Sequence, residues 1–406
     1  MSREFLWGAS MSPHQVEGHN ENNWTEWEKN NAEKLAKEAE SSFGSLKIWD
    51  KISEKATSPQ NYMSGEAINH KNRYKEDIQL AQDMGLNAFR FGIEWSRVEP
   101  KEGEFSEEAI SYYRDYISEV RENGMEPIVT LWHFTNPKWF SEKGGWTNPE
   151  NKDYFLRYVE KVIDEFGDKV TYWITLNEPL GFIFNAYIMG NWAPGRKAPY
   201  SAFKCLRNFL SVHKKTYAEI KRNHPDSMVA TANNMTNFNA VNDLIPNKVI
   251  AKALRRIERG YLIEKTIEEQ DFIGVNHYFK HDIDLLGRTS EEIKSDLGWS
   301  QSPQSLVRVV EEMSKWDKPI LITEHGIADS NDEKRKSYLQ ESLSELENAE
   351  NTEILGYLHW SLLDNFEWDK GFWPRFGLIE IDYENNLERN IRDSGKLYSQ
   401  IIKKLN

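Results

Sequence analysis

Glu178 and Glu324 carry the most direct chemical signal in this sequence. The first stands in Thr175-Leu176-Asn177-Glu178-Pro179, the second in Ile322-Thr323-Glu324-His325-Gly326, and each ends an apolar, β-rich run. Such runs read as strands, so each carboxyl would project from a strand tip. Two carboxyls facing one cleft can cleave a glycosidic bond: one gives a proton to the leaving oxygen while the other attacks the anomeric carbon or activates water. The plainer alternative pairs each acid with an arginine such as Arg90 in a buried network. Pro179 biases the backbone of Glu178 toward extended conformations and away from a helix start.

Other polar groups recur at the ends of neighbouring runs. Gln15 and Glu17 follow the first, Arg90 lies in the second, His133 ends the third and Asn177 precedes Glu178. Asn276 and Tyr278 belong to the sixth, and the eighth ends at Trp360 before Asp364-Asn365-Phe366-Glu367-Trp368. Any one of these is ordinarily a satisfied polar group at a strand end, but six or seven ends together argue for a shared site. Trp132, Phe134, Tyr278, Trp360, Trp368 and Phe376 lie at or beyond these ends. Sugar rings present apolar C–H faces and polar rims, which flat aromatics mixed with Gln, His, Asn and Glu would match.

Eight runs must position these groups: Phe5 to Ser10, Ala88 to Trp95, Glu126 to Trp132, Tyr172 to Asn177, Met228 to Asn234, Asp271 to Tyr278, Pro319 to His325 and Ile354 to Trp360. Between them lie stretches with helical spacing, including Arg73 to Met84, Glu107 to Asn123, Lys152 to Phe166, Ala202 to Asn223, Lys248 to Glu269, Ser305 to Lys315 and Glu333 to Asn348. From the second run on, strands begin about every 44 residues, enough for a strand, a crossover helix and two loops. The expected fold is α/β, a single (β/α)8 TIM barrel over residues 1–406 with its site at the carboxyl ends of the strands. An open doubly wound sheet is the rival, but no Gly-x-Gly-x-x-Gly follows the first strand. The polar helix Trp24 to Glu40, between strands one and two, reads as a surface excursion.

With 406 residues, 39% of them apolar and 13% aromatic, the chain can bury a large core. Its net charge of −14 disfavours nucleic acid and membrane surfaces as partners and favours a small neutral or cationic ligand. Cys205 is the only cysteine, so no intrachain disulfide can form, and a cytoplasmic location is expected. Met1 to Ser10 lacks a signal-peptide pattern, and the uncharged stretch Pro179 to Gly195 is too broken to span a membrane. No cofactor and no metal are expected, because His133, His277, His281, His325 and His359 form neither His-x-His nor His-Glu-x-x-His spacings. A metal-dependent hydrolase, a non-catalytic sugar-binding barrel and an endo-acting glycosidase are the competing readings. Nothing in the sequence bears on oligomeric state.

Six segments together resemble glycoside hydrolase family one, the β-glucosidase and β-galactosidase family. They are Phe5-Leu6-Trp7-Gly8-Ala9-Ser10 with Gln15-Val16-Glu17-Gly18, Phe89-Arg90-Phe91-Gly92-Ile93-Glu94-Trp95-Ser96-Arg97, the Asn177-Glu178-Pro179 segment, Asp271 to Tyr278, the Thr323-Glu324 segment and Trp360 to Trp368. The resemblance implies a retaining, exo-acting β-glycosidase with Glu178 as general acid/base and Glu324 as nucleophile. It places Arg90 and Tyr278 beside the nucleophile, with Asn177 and Asn276 supporting. Gln15, His133, Trp360, Glu367, Trp368 and Phe376 would hold the sugar, and Glu367 would select against 6-phosphosugars. The implied substrate is a terminal β-glucoside, β-galactoside or β-fucoside, free or in an oligosaccharide.

Three residues depart from the family pattern. His277 and His325 replace the usual Tyr and Asn, bringing titratable rings near the site, and Phe134 replaces an indole that would donate to the sugar. The stretches Asn237 to Gln270 and Phe279 to Trp299 are short for the family, which predicts a more open cleft on the aglycone side.

Overall fold

The computed structural model describes residues 4–242, 244–285, 293–349 and 352–405. Eight strands form a closed, all-parallel barrel: β1 (Leu6–Ser10), β2 (Ala88–Gly92), β3 (Glu126–Thr130), β4 (Tyr172–Asn177), β5 (Met228–Asn234), β6 (Ile273–His277), β7 (Ile320–His325) and β8 (Ile354–Trp360). The main crossover helices are α1 (Asn23–Phe43), α2 (His70–Asp83), α3 (Glu107–Glu122), α4 (Lys152–Phe166), α5 (Pro179–Ile183), α6 (Pro199–Asn223), α7 (Ile245–Arg255), α8 (Pro303–Met313) and α9 (Glu333–Leu346), with α10 (Asp393–Leu405) closing the chain. The TIM-barrel reading holds. Several expected boundaries shift, among them β2, which ends at Gly92 because Trp95–Val98 turns helical, and the Lys248 to Glu269 stretch, which is broken by a π turn at Arg256–Gly260; α10 was not foreseen.

Alternation along the strands builds two apolar layers. Ala88, Ile128, Ile174, Leu321 and Leu358 fill the barrel, while Phe89, Val129, Trp173, Ile320 and Ile322 pack outward against the helices. With a side-chain period of two, an extra residue reverses which face is presented. The pairing register shifts between Ile174 and Asn177 in β4 and between Ile322 and Glu324 in β7. These bulges turn Asn177 and Glu324 to the lumen, while Leu176 and Ile322 lie in the outer layer.

Helix α1 corrects one expectation, for it is no mere surface excursion. Trp24 is fully buried, its ring 4.7 Å from that of Trp368 and 5.7 Å from that of Trp192. The β8 loop is also held from the chain's end. Asp364, fully buried, accepts 2.9 Å bonds from both Nη atoms of Arg392 and one of 3.2 Å from Arg375. These cations hold its carboxyl below the usual range against the opposing effect of burial. Because the folded-state value is lowered, the ionised carboxylate stabilises at neutral pH, and that contribution is lost only as pH falls through the lowered value. Asp364→Ala leaves two guanidinium groups short of their counter-ion. A loss of about 3–5 kcal/mol is expected in denaturant unfolding at neutral pH; a change under about 1 kcal/mol would contradict the clamp.

Candidate active site

A cavity of roughly 720 Å³ opens at the carboxyl ends of the strands. Of the sequence-predicted residues, His133, Asn177, Glu178, Tyr278, Glu324, Trp360, Glu367, Trp368 and Phe376 line it. Arg90, Asn276 and Gln15 lie behind this wall, each fully or almost fully buried.

Arg90 organises one carboxyl. Its Nη1 donates to Glu324 Oε1 at 2.5 Å and to Thr323 O at 3.1 Å, its Nη2 to Asn177 Oδ1 at 2.7 Å, and its Nε to Thr130 Oγ1 at 3.1 Å. The Tyr278 hydroxyl donates to the other oxygen, Glu324 Oε2. Burial pushes Glu324 upward, while the Arg90 cation and the Tyr278 bond oppose it. Burial also holds the Tyr278 phenol well above its ordinary range, so it stays a donor.

Glu178 has a different environment. Its side-chain partner among the described residues is neutral: Asn276 Nδ2 donates to Oε1 at 2.9 Å and also to Asn177 Oδ1 at 3.1 Å. Thr323 Oγ1 donates to Asn276 Oδ1 at 2.6 Å, which fixes that amide's orientation. Burial, then the charge of Glu324, raises the Glu178 carboxyl to about 8. Burial thus raises both neighbouring acids, but only Glu324 has a cation hydrogen-bonded to it to oppose that effect.

The extended backbone expected for Glu178 is not found. It adopts a left-handed conformation (φ 42°, ψ 51°) and caps α5, whose first residue is Pro179. Proline can open a helix because its missing N–H would lack a partner there, and the left-handed turn aims the carboxyl into the cavity.

The remaining cavity-lining groups follow from the same network. Asn177 Oδ1 is taken by donors, so its Nδ2 faces His133 Nε2 at 3.0 Å as a donor. Burial and Arg90 hold the His133 ring well below its usual range. The neutral ring must then carry its hydrogen on Nδ1, which is buried, has no partner among the described residues and belongs to a cavity-lining residue. The ring lies nearly parallel to Trp360 and Trp368, at 6.0 Å from each. Burial raises Glu367 to about 8, with Lys370 opposing. Gln15 spends its amide on the protein, donating to Phe366 O at 2.7 Å and Asn365 Oδ1 at 3.0 Å. It therefore holds the loop carrying Glu367 and does not line the cavity.

Three expectations about rings are corrected. His277 bonds Met235 O and Ser305, and His325 bonds the hydroxyls of Tyr357 and Tyr338, so neither ring lines the cavity. Trp132 is core, its indole donating to Asn136 Oδ1 at 3.0 Å. Conversely, Asn234, Trp192 and Trp299 line the cavity unforeseen. Asn234 ends β5 like the other polar strand ends, and its buried Oδ1 has no partner among the described residues; no local pattern marks Trp299. Part of the short Phe279 to Trp299 stretch, 286–292, lies outside the described residues. Among the described residues, no three of His, Cys, Asp and Glu cluster as a metal site, and no helix is long and apolar enough to cross a membrane.

Known proteins share both sequence and architecture with the chain. A profile described as Glycosyl hydrolase family 1 matches residues 1–270 and 262–406. Beta-glucosidase A of Thermotoga maritima is 28% identical over 98% of this chain and 97% of its own length. Beta-glucosidase 42 of Arabidopsis thaliana is 30% identical over 98% and 93%. Among solved structures, a beta-glycosidase from Pyrococcus horikoshii superposes with a TM-score of 0.84 at 31% identity, covering 98% of this chain and 94% of its own. The beta-glucosidase from Thermotoga maritima in complex with glucoimidazole gives 0.83 at 26%, covering 98% of both chains. With a closed barrel, two environmentally distinct carboxyls and matches running from end to end, the chain is a β-glycosidase and belongs to glycosyl hydrolase family 1.

Proposed function

We propose that residues 1–406 work as one catalytic domain that removes a terminal, non-reducing, unphosphorylated β-linked sugar with retention of configuration. The observation that carries this reading is the division between the carboxyls. Glu324 is gripped by Arg90 and Tyr278, which favours the ionised form, whereas Glu178 has an amide donor and a raised value of about 8. A carboxylate held on both oxygens beside a cation is a weak base for activating water, yet it is well oriented to attack carbon.

In the first step Glu178 gives its proton to the glycosidic oxygen, the C1–O bond breaks, and Glu324 forms an ester to the anomeric carbon. The ionised Glu178 then takes a proton from water, whose hydroxyl displaces Glu324 and restores both groups; another alcohol in place of water gives transglycosylation. Asn177 and His133 meet sugar hydroxyls over the Trp360 face. Trp368, buried against His14 and Trp24, closes the far end and favours exo action. Lys370, which lines this end, is paired with Asp369 at 2.7 Å, leaving a 6-phosphate beside Glu367 without a cation. The lone, buried Cys205 suits the cytoplasm.

A panel of nitrophenyl β-glycosides, with proton NMR of the sugar first released, tests the reading. A β-hemiacetal is expected; an α-hemiacetal, or faster turnover of 6-phosphosugars, would overturn it. A disaccharide, with its poor leaving group, needs the Glu178 proton. Its kcat/KM should therefore fall about tenfold per unit as pH rises above about 8. Glu367 also titrates near 8, but a limb from Glu178 fades with a nitrophenyl leaving group, whereas one from Glu367 persists.

A further inference from the structure

Outward from the carboxyls the cavity becomes aliphatic. Leu180, Ile183, Phe184 and Ile188 wall one side and Leu254 and Ile257 the other. The first group follows β4 through α5 and the turn Phe184–Met189, the second comes from α7 and the turn Arg256–Gly260. Single exposed apolar residues need no explanation. Here Phe184 is 53% exposed, Ile188 39% and Ile257 67%, and all three face one cavity from two separate elements. The apolar surface continues past the mouth to Phe203, 53% exposed, in the helical turn of the cavity-lining Ala202.

On this side Asn185 and Glu258 are engaged with their neighbours, while Asn234 Oδ1 at the β5 tip has no partner among the described residues. Asn185 Nδ2 donates to Gly181 O at 3.0 Å, and Glu258 accepts from Thr236 N at 2.8 Å and from its Oγ1 at 2.6 Å. A second sugar ring brings hydroxyls that lose water on entry and need such groups in exchange. An alkyl chain needs none and gains from leaving water. A volume of roughly 720 Å³ holds a drug-sized molecule, so space remains beyond one sugar ring.

Resting on the hydrolase reading of the inner end, we propose that this outer subsite takes an extended aliphatic aglycone, and that amphiphilic β-glycosides with an alkyl tail are cleaved in preference to disaccharides. Cleavage releases sugar and alcohol: the alkyl oxygen leaves with the proton of Glu178, and water supplies the anomeric hydroxyl and restores that proton.

The test compares n-alkyl β-glycosides from methyl to octyl, below their micellar concentrations, with a disaccharide of the same sugar. The expected kcat/KM rises about two- to fourfold per methylene until the groove is filled, and octyl exceeds the disaccharide. Phe184→Ser with Ile257→Asn flattens that slope, whereas Leu405→Ser, at an exposed apolar residue of the terminal helix among the strand-start residues Phe5, Trp7 and Ile354, preserves it. A flat series, or a preferred disaccharide, overturns the proposal. Affinities for uncleaved octyl and methyl β-thioglycosides separate it from the hydrolase reading. Tighter octyl binding without turnover of any β-glycoside sinks that reading and sustains the aliphatic subsite, while equal affinities sink the subsite.

Discussion

Glu324→Gly is expected to lower hydrolysis by roughly 10⁴- to 10⁶-fold, the scale on which covalent catalysts fail when the nucleophile is removed. Arg90 and the Tyr278 hydroxyl would then face an empty space shaped for an anion. Added azide should occupy it, attack the anomeric carbon from the face that Glu324 used, and yield an α-glycosyl azide from an activated β-glycoside. Removing one partner of a buried ion pair also costs about 3–5 kcal/mol of stability, so an unfolding curve must accompany the assay. Rescue by azide distinguishes lost chemistry from lost fold. Activity within tenfold of the parent would remove Glu324 from the reaction.

Glu178→Ala separates the two steps. With an alkyl or sugar leaving group, loss of the general acid should cost roughly 10²- to 10⁴-fold. A dinitrophenyl leaving group needs no proton, so the first step should survive and a burst of phenolate should precede slow turnover, because no base remains to activate water. Azide needs no base, and it should accelerate the second step to give the β-glycosyl azide. An equal loss for all leaving groups, without a burst, would place Glu178 outside proton transfer.

The barrel was legible because its signals are local and repeated. Tyr172–Asn177, Met228–Asn234 and Ile354–Trp360 match their apolar runs end to end, and α4 matches the helical spacing of Lys152 to Phe166. Residue types at strand tips brought most of the site together for the same reason. Side-chain direction was less legible. The bulges that turn Asn177 and Glu324 inward leave no mark in composition, and the left-handed backbone of Glu178 runs against the extended preference before proline. His277 and His325 flank the site in sequence but point into the outer layer, where Met235, Ser305, Tyr338 and Tyr357 meet them. Those partners come from other segments, so only tertiary packing reveals the direction. The division of labour proposed for Glu178 and Glu324, implied by resemblance, draws physical support from the contacts of Arg90, Tyr278 and Asn276.

The central claim is a covalent glycosyl-enzyme on Glu324. A β-glycoside carrying fluorine at C2 and a good leaving group slows both steps, the second enough for the intermediate to be trapped and weighed. The account predicts a mass increase of one fluoroglycosyl unit per chain, located by peptide mapping on the segment containing Glu324. An unlabelled chain after full release of the leaving group, or a label on any other residue, would contradict it.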